Sequence, residues 1–167
     1  MEAKEFLEMI KTRRSIRSYA KKPVHRELLE RIIDAARLAP SANNIQPWMF
    51  VAVTDEKAKI KLSQLANYGS FIREAACCIA VFCKDTKYYL EDGVAATENI
   101  LLAAHALGLG ACWVAGDKKP YCEEVKKLLR APAEYKLISL IPVGYPAQTP
   151  QAYGKKTPDE VMRWETF

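Results

Sequence analysis

The sequence predicts an α+β fold in a single domain spanning residues 1–167, because helix-like and strand-like patterns both occur without regular alternation. Apolar residues recur at three- and four-residue spacing in some segments and run continuously in others. The predicted helices cover residues 6–10, 25–38, 55–66, 88–107 and 121–129, and the predicted strands cover residues 48–54, 77–83, 111–115 and 137–143.

The first half of the chain carries clear start and stop signals. Residues 25–38 place their leucines and isoleucines on one face, and Pro40 ends that helix. Residues 48–54 form an aromatic and β-branched run that is typical of a strand. Asp55 then stands where an acidic residue favours the first turn of a helix.

The second half contains a helix that is apolar nearly all round between Val94 and Leu107. Such a helix is buried on several sides, and in a chain this short a partner subunit is expected to supply part of the cover. Gly108 and Gly110 end the helix. From Tyr145 onward the chain is rich in Pro, Gly, Gln and Lys, so we expect this tail to wrap over another surface, that of the partner subunit.

Composition indicates a globular protein, with 50% hydrophobic and 27% charged residues. The charged N-terminus lacks the apolar core of a signal peptide, and no apolar run approaches the ~20 residues needed to span a bilayer. We therefore expect a cytoplasmic protein with no membrane partner. The net charge of +5 is modest and spread along the chain, and a phosphorylated cofactor would explain part of it.

The cysteine and histidine content argues against a metal centre. The five cysteines form no Cys-x-x-Cys pair, and three of them lie in one strand-like run, so we interpret them as buried thiols. With only His25 and His105, no metal site is expected. Gly108-Leu-Gly110 is not a dinucleotide fingerprint, because a helix precedes it and a strand follows it.

The stretch Thr12-Arg-Arg-Ser-Ile-Arg-Ser-Tyr19 is a candidate phosphate site. Arg13, Arg14 and Arg17 flank the hydroxyl of Ser15, and guanidinium groups grip phosphate with paired charge-assisted hydrogen bonds. A basic patch on a solvated face, or a nucleic-acid contact, would give the same pattern.

A second stretch, Ala39-Pro-Ser-Ala-Asn-Asn-Ile-Gln-Pro-Trp48, connects a predicted helix to a predicted strand. It is dense in amide and hydroxyl groups that could reach the edge of a planar ligand. The same residues could equally form an ordinary turn held by Ser and Asn side chains.

Taken together, the two stretches resemble the FMN-dependent nitroreductase family, whose members carry Arg-Arg-Ser-x-Arg-x-aromatic followed by Pro-Ser-x-x-Asn-x-Gln-Pro-Trp. Further similarity runs along the chain, in Glu98–Gly108, Leu109–Gly116, Ile141–Pro146 and the tail around Lys155 and Trp164. The resemblance implies a central, mostly antiparallel sheet flanked by helices, and a homodimer with two FMN sites at the subunit interface.

The resemblance also implies roles for particular residues. Arg13, Arg14 and Ser15, with Lys155 and Lys156 of the tail, would hold phosphate and ribityl, and Arg17 would lie near the pyrimidine side of the ring. Asn67 would reach the ring's polar edge. The other subunit would contribute a turn composed of Pro40, Ser41, Ala42, Asn43 and Gln46, and the ring's far face would be lined by Val114, Ala115 and Gly116.

In this family the flavin performs the chemistry, so no catalytic side chain is predicted. The expected activity is electron transfer from NADH or NADPH to a small oxidant, such as a nitroaromatic or a quinone, with ping-pong kinetics. Lys156 stands where relatives often have Arg, and the chain lacks the inserted helices that build the substrate channel in larger relatives.

Three other functions remain open at this stage. They are an FMN carrier or ferredoxin-linked reductase, a flavin protein for flavin fragmentation or dehalogenation, and a basic nucleic-acid-binding module. The lid segments of the dehalogenating relatives are not found in this sequence, and no ferredoxin-like cysteine cluster is present.

Overall fold

A computed structural model describes residues 3–151 and 153–167. The helices are α1 (Ala3–Thr12), α2 (Arg26–Ala36), α3 (Glu56–Leu65), α4 (Tyr89–Ala106), α5 (Cys122–Leu129) and α6 (Pro158–Val161). The strands are β1 (Trp48–Val53), β2 (Cys77–Lys84), β3 (Gly110–Ala111), β4 (Val114–Ala115) and β5 (Tyr135–Gly144), and two short 3-10 segments cover Ala42–Asn44 and Ser70–Glu74.

The described strands form one antiparallel sheet with the order β1-β2-β5-β3, and β4 pairs with β5 beside β3. Strand β2 is buried from Cys77 to Cys83, and β5 is buried from Leu137 to Gly144. These central strands are apolar runs without alternation because both faces of the sheet are covered by helices.

Two apolar layers cover the sheet. On one face α2 and α4 pack against Cys77, Ile79 and Val81, and on the other face α3 and α5 pack against Ala80 and Phe82. The alternation of odd and even residues along β2 therefore divides the core into two halves. Both halves contain residues with no exposed surface. The fold therefore has three layers, with the sheet in the middle and helices packed on each of its faces.

A β-bulge in β5 sets the geometry of the following turn. Val81 is paired with Ser139 and Phe82 with Leu137, so Ile138 is the extra residue. The Ile138 carbonyl accepts a hydrogen bond from the Gly116 amide at 3.0 Å. A Cβ on Gly116 would lie 2.7 Å from the carbonyl carbon of Ile138, so only glycine permits this approach.

The predicted α+β class and mostly antiparallel sheet are confirmed. The helix-cap interpretation of Gly108 is confirmed as well: its φ is +72°, and Leu109 N donates to Ala104 O, as in a Schellman motif. In place of the single strand predicted over residues 111–115, the structure has two short strands, β3 and β4, which Cys112 and Trp113 separate.

The other differences are shifted helix ends and one additional helix. Asp55 is not in the first turn of α3 but is its N-cap, accepting a hydrogen bond from Ala58 N at 2.8 Å. The first helix extends from Ala3 to Thr12, beyond the predicted residues 6–10. The one-turn helix α6 was not predicted, although a Thr157–Glu160 capping box starts it.

Within the described residues, no helix combines the length and the apolar character needed to cross a membrane.

Candidate functional site

The arginine segment after α1 lines a basic cleft of about 310 Å³. The described lining residues carry five cations and no carboxylate: Lys11, Arg13, Arg14, Arg17 and Lys155, beside Ile10, Ser15, Gln151 and Tyr153. Lys11 pairs with Glu8 at 2.9 Å and Arg13 lies 3.8 Å from Glu98, so the other cations leave an excess of positive charge that favours an anionic ligand. Ser15, which is exposed, adds a hydroxyl donor.

The sheet edge holds this segment in place. Ile16 N donates to Ala111 O at 2.9 Å, and Ser15 forms a parallel bridge with Ala111 of β3. A Cβ on Gly110 would lie 2.7 Å from Ile16 Cβ, so the missing side chain lets the segment lie against β3. The arginines therefore project from backbone that is fixed to the sheet.

Two guanidinium groups are oriented by neighbouring groups. Arg14 Nη1 donates to the carbonyls of Lys11 and Arg13, at 2.6 and 2.8 Å, where it caps the end of α1. Arg13 Nε lies 3.8 Å from Glu98 Oε1 of α4, a long ion pair. Both arginines are partly buried, which limits their rotamers and prepares them for a ligand.

His105 contacts the last residue of α1, just before the arginine segment. Its Nε2 lies 3.0 Å from Thr12 Oγ1, and the residue is half-buried in the last turn of α4. Burial lowers the pKa of His105, and the positive charges of Arg13 and Arg14 lower it further. His105 therefore has a hydrogen-bond partner at the end of α1.

A second cleft, of about 590 Å³, adjoins the first through Arg17, which lines both. Arg17, Asn67, Val114 and Ala115, all predicted site residues, line it together. Its remaining described lining residues are mostly aromatic: Tyr68, Phe71, Trp113 and Tyr121, with Ser70, Cys112 and Lys119. A basic cleft connected to an aromatic one suits a ligand with a phosphate at one end and a planar ring at the other.

The turn after β4 is fixed by side-chain hydrogen bonds. The Tyr121 hydroxyl donates to Ala115 O, and the Tyr89 hydroxyl donates to Asp117 Oδ1 at 3.1 Å. Gly116 is buried against the β5 bulge, and its amide is already bonded to Ile138 O. Val114 and Ala115 therefore lie on a rigid wall of the aromatic cleft.

The turn of residues 40–46 has an unusual backbone. Asn43, Asn44 and Gln46 have φ values of 52°, 54° and 53°, which is the left-handed region that residues other than glycine rarely adopt. Two side chains hold the turn: Asp92 Oδ1 accepts from Ala42 N at 2.9 Å, and Ser41 Oγ accepts from Gln46 N at 2.9 Å. The turn presents Asn43, Asn44 and Gln46 to solvent.

The predicted site residues thus fall into groups. Arg13, Arg14, Ser15, Arg17 and Lys155 meet in the basic cleft, and Arg17, Asn67, Val114 and Ala115 meet in the aromatic cleft. Gly116 and Lys156 are not among the described residues that line either cleft. The same holds for the turn residues Pro40, Ser41, Ala42, Asn43 and Gln46, whose assignment to the partner's site stays a prediction.

Sequence reasoning missed several residues of the site. Tyr68, Phe71, Lys119 and Tyr121 line the aromatic cleft but stand in segments without a recognisable motif. Tyr68 follows Asn67 directly in the sequence. Because a planar ligand was expected at Asn67, the neighbouring aromatic ring could have been predicted to line the same site. Asp92 could not have been found, because its contact with Ala42 joins residues 50 positions apart.

The cysteines are free, and four of the five are buried. Burial raises the pKa of the Cys77 and Cys83 thiols to about 12, so these groups stay protonated and behave as small apolar side chains. This confirms the prediction of buried thiols, with Cys122 only half-buried. Among the described residues, no group of three or more His, Cys, Asp or Glu side chains is placed to hold a metal ion.

Comparisons with known proteins agree with this geometry. The model of the nitroreductase family matches residues 10–76 and 66–145. A protein of Methanothermobacter thermautotrophicus, whose name refers to NADH dehydrogenase and NAD(P)H nitroreductase activity, is 37% identical over 163 residues, which cover 94% of this chain and 85% of that protein. Rat iodotyrosine deiodinase 1 is 30% identical over 97% of this chain and 70% of its own length. The structure of an FMN-dependent nitroreductase from Clostridium difficile superposes with a TM-score of 0.91 at 30% identity, covering 96% of this chain and 99% of that one.

Proposed function

Because the chain belongs to the nitroreductase family, we propose that it is an FMN-dependent oxidoreductase that passes electrons from NADH or NADPH to a small oxidant. The observation that carries the proposal is the basic cleft joined to the aromatic cleft through Arg17. An FMN molecule has a dianionic phosphate, a polar ribityl chain and a planar ring, and these match the two clefts in the same order.

The donor set fits the phosphate end of FMN. Arg13, Arg14 and Lys155 supply positive charge, and Ser15 supplies a hydroxyl, in a cleft that has no carboxylate among its described lining residues. We assign Lys156, the neighbour of Lys155, to the same phosphate. Arg14 would bind the phosphate while keeping both carbonyl contacts, since these use Nη1 alone and its guanidinium has five N–H donors.

The ring end fits the aromatic cleft. Asn67 would pair with the polar edge of the ring, and Arg17 would hold the pyrimidine side, where negative charge develops on reduction. Val114 and Ala115 would lie against one face, backed by the rigid turn at Gly116. When bound, FMN takes a hydride equivalent from the nicotinamide and passes electrons to the oxidant. The side chains would position the cofactor and stabilise its charge. Because the nicotinamide and the oxidant would react in turn with the same cofactor, we propose ping-pong kinetics with a nitroaromatic or quinone as acceptor.

We also propose that the working unit is a homodimer. Phe6, Leu7 and Ile10 of α1 are each about half exposed, and Trp164 of the tail is 75% exposed. Apolar surface of this kind marks a protein contact. The exposed, strained turn of residues 40–46 would then complete the cofactor site of the partner, which accounts for its absence from the two clefts of its own subunit.

The proposal is tested by the visible spectrum of the FMN-loaded protein before and after NADH or NADPH is added without oxygen. Bleaching of the bands near ~450 nm is the expected result, and the faster donor identifies the physiological nicotinamide. Bands that do not change on addition of either donor would contradict the oxidoreductase and leave an FMN carrier or a ferredoxin-linked reductase. A high ratio of absorbance at 260 nm to that at 280 nm in the purified, flavin-free protein would point to nucleic acid.

A second candidate is reductive dehalogenation, which the similarity to iodotyrosine deiodinase over 97% of this chain favours. This chain spans 70% of that protein's length, so a part of the relative has no counterpart here. Iodide release from an iodinated aromatic substrate, measured under the same anaerobic conditions with a chemical reductant, distinguishes this reaction from nitro or quinone reduction.

A further inference from the structure

We propose that the aromatic cleft selects planar aromatic anions as oxidants and that Lys119 is the residue that determines this selection. This inference rests on the proposed function, because it concerns the acceptor that follows the nicotinamide at the same site.

The charge of the aromatic cleft favours an anionic substrate. Its described lining residues include two cations, Arg17 and Lys119, and no carboxylate. Arg17 is shared with the basic cleft and is assigned to the cofactor. Lys119 is therefore the cation that is left for a second ligand, and a substrate with a carboxylate or sulfonate group would neutralise it.

Asp117, the acidic residue nearest to Lys119 in the sequence, has other contacts. Asp117 lies two residues before Lys119, but its Oδ1 accepts a hydrogen bond from the Tyr89 hydroxyl at 3.1 Å and its Oδ2 is buried. Asp117 therefore does not pair with Lys119. In the part of the chain that the structure describes, no hydrogen bond or ion pair engages the Lys119 ammonium, and the residue is exposed.

The backbone around Lys119 is held firmly. Lys119 N donates to Gly116 O and Cys122 N donates to Lys119 O, both at 3.1 Å. Gly116 is in turn bonded to the β5 bulge at Ile138. The Lys119 backbone is thus fixed to the central sheet, while its flexible side chain can place the ammonium over the mouth of the cleft.

The aromatic lining of the cleft suits a planar substrate. Tyr68 is 84% exposed, although it lines the cleft beside Phe71 and Trp113. An exposed tyrosine at the mouth of an aromatic cleft offers a face on which a planar substrate stacks. Stacking supplies affinity for any flat ring, and the ammonium distinguishes an anionic ring from a neutral one.

The test compares two oxidants of nearly the same shape, 4-nitrobenzoate and 4-nitrobenzyl alcohol. In the first two-electron step each would consume one NADH and one proton and give NAD⁺, the nitroso compound and water. We measure kcat/KM for both compounds with the FMN-loaded protein, its Lys119→Gln variant and its Lys118→Gln variant. Lys118 is an exposed neighbour that is not among the described lining residues and so controls for net charge. Equilibrium dialysis of each nitro compound against the same proteins measures binding independently of turnover.

The expected result is that Lys119→Gln lowers both kcat/KM and the affinity for 4-nitrobenzoate about two- to five-fold, the size expected of an exposed ion pair. The values for 4-nitrobenzyl alcohol should not change, and Lys118→Gln should leave both compounds unaffected. High salt should reduce the preference of the parent protein for the anion.

Equal losses for both compounds, or none for the benzoate, would overturn the assignment of Lys119. If the protein reduces neither compound yet dialysis shows the Lys119-dependent preference, the proposed nitro reduction fails and the selective cleft stands. If it reduces both compounds without preference, the reductase stands and this inference fails.

Discussion

At the scale of single residues, the basic cleft is a set of charges fixed before any ligand arrives. Arg14 is tied to two carbonyls at the end of α1, Arg13 is oriented toward Glu98, and His105 contacts Thr12. Burial lowers the pKa of His105, and the two arginines lower it further. The positive potential that attracts a phosphate therefore adds to the effect of burial in disfavouring a proton on this histidine.

This arrangement predicts a pH-dependent contribution to stability. The pKa of His105 is lowered in the folded state from its ordinary value of 6.5, so the unfolded chain binds the proton more readily. The contribution of His105 is therefore complete above about pH 6.5 and is lost as pH falls below that value toward the folded-state pKa. We expect the free energy of unfolding of His105→Gln, measured in urea from pH 5 to 8, to fall less at acid pH than that of the parent.

His25→Gln serves as the control, because His25 is exposed and no side-chain cap bond joins it to α2. A constant difference between the parent and His105→Gln across the whole pH range would show that the histidine only fills space.

At the scale of elements, loops rather than helices and strands decide where the site lies. The β5 bulge directs the Ile138 carbonyl at Gly116, and this contact fixes the wall formed by β4. The turn of residues 40–46 depends likewise on one buried carboxylate, since Asp92 is 5% exposed and accepts the Ala42 amide proton. Left-handed backbone at three residues persists only where surrounding contacts enforce it.

We expect Asp92→Ala to loosen this turn. The Ala42 amide would lose its acceptor, and its hydrogen exchange should accelerate about ten-fold or more, the loss expected when a buried hydrogen bond to a charged group is removed. Asp92→Asn keeps an acceptor oxygen and should largely preserve protection. If the turn completes the partner's cofactor site, FMN affinity should fall in the same order. Unchanged exchange at Ala42 in Asp92→Ala would mean that Ser41 alone holds the turn.

The same scale shows what the sequence could and could not predict. Apolar runs such as 77–83 and the stripe of α2 were readable because burial acts on neighbouring or periodically spaced residues. The bulge at Ile138 was not readable, because it is visible only when β2 and β5 are aligned. For the site, the arginine motif predicted the basic cleft, whereas Tyr68, Lys119 and Tyr121 reach the aromatic cleft through tertiary folding alone.

At the scale of the whole molecule, the chain leaves apolar surface that its own core does not use. Trp164 and Phe167 are exposed, and the described part of the tail contains one helical turn, α6. Near its start the tail is tied to its own subunit, because Ala147 N donates to Ser18 O at 3.0 Å. Beyond that point Tyr153 and Lys155 line the basic cleft, so the tail would join the proposed cofactor site to the expected subunit contact.

A chain that ends at Ala147 tests this role while retaining the bond to Ser18. We expect the shortened protein to dissociate at concentrations where the parent is dimeric, or to bind FMN more weakly, because Lys155 and the exposed aromatic residues are removed. Sedimentation and FMN titration measure the two effects. Trp164→Ser within the full chain is the milder variant and should weaken the dimer without removing Lys155. A shortened chain that is dimeric and fully loaded with FMN would contradict the wrapping tail.

The assignment of the basic cleft to the phosphate of FMN is tested most directly by the affinity of the purified, flavin-free protein for FMN, measured for the parent and for Arg13→Ala. Arg26→Ala is the matched control, since the Arg26 side chain is 91% exposed on α2 and pairs with Glu30 on the same helix. We predict that the parent binds FMN and that Arg13→Ala raises the dissociation constant about 10- to 100-fold, the size of a lost charge-assisted hydrogen bond, while Arg26→Ala has no effect. A parent protein that takes up no FMN, or an Arg13→Ala variant that binds it as tightly as the parent, would contradict the assignment of the basic cleft to the cofactor phosphate.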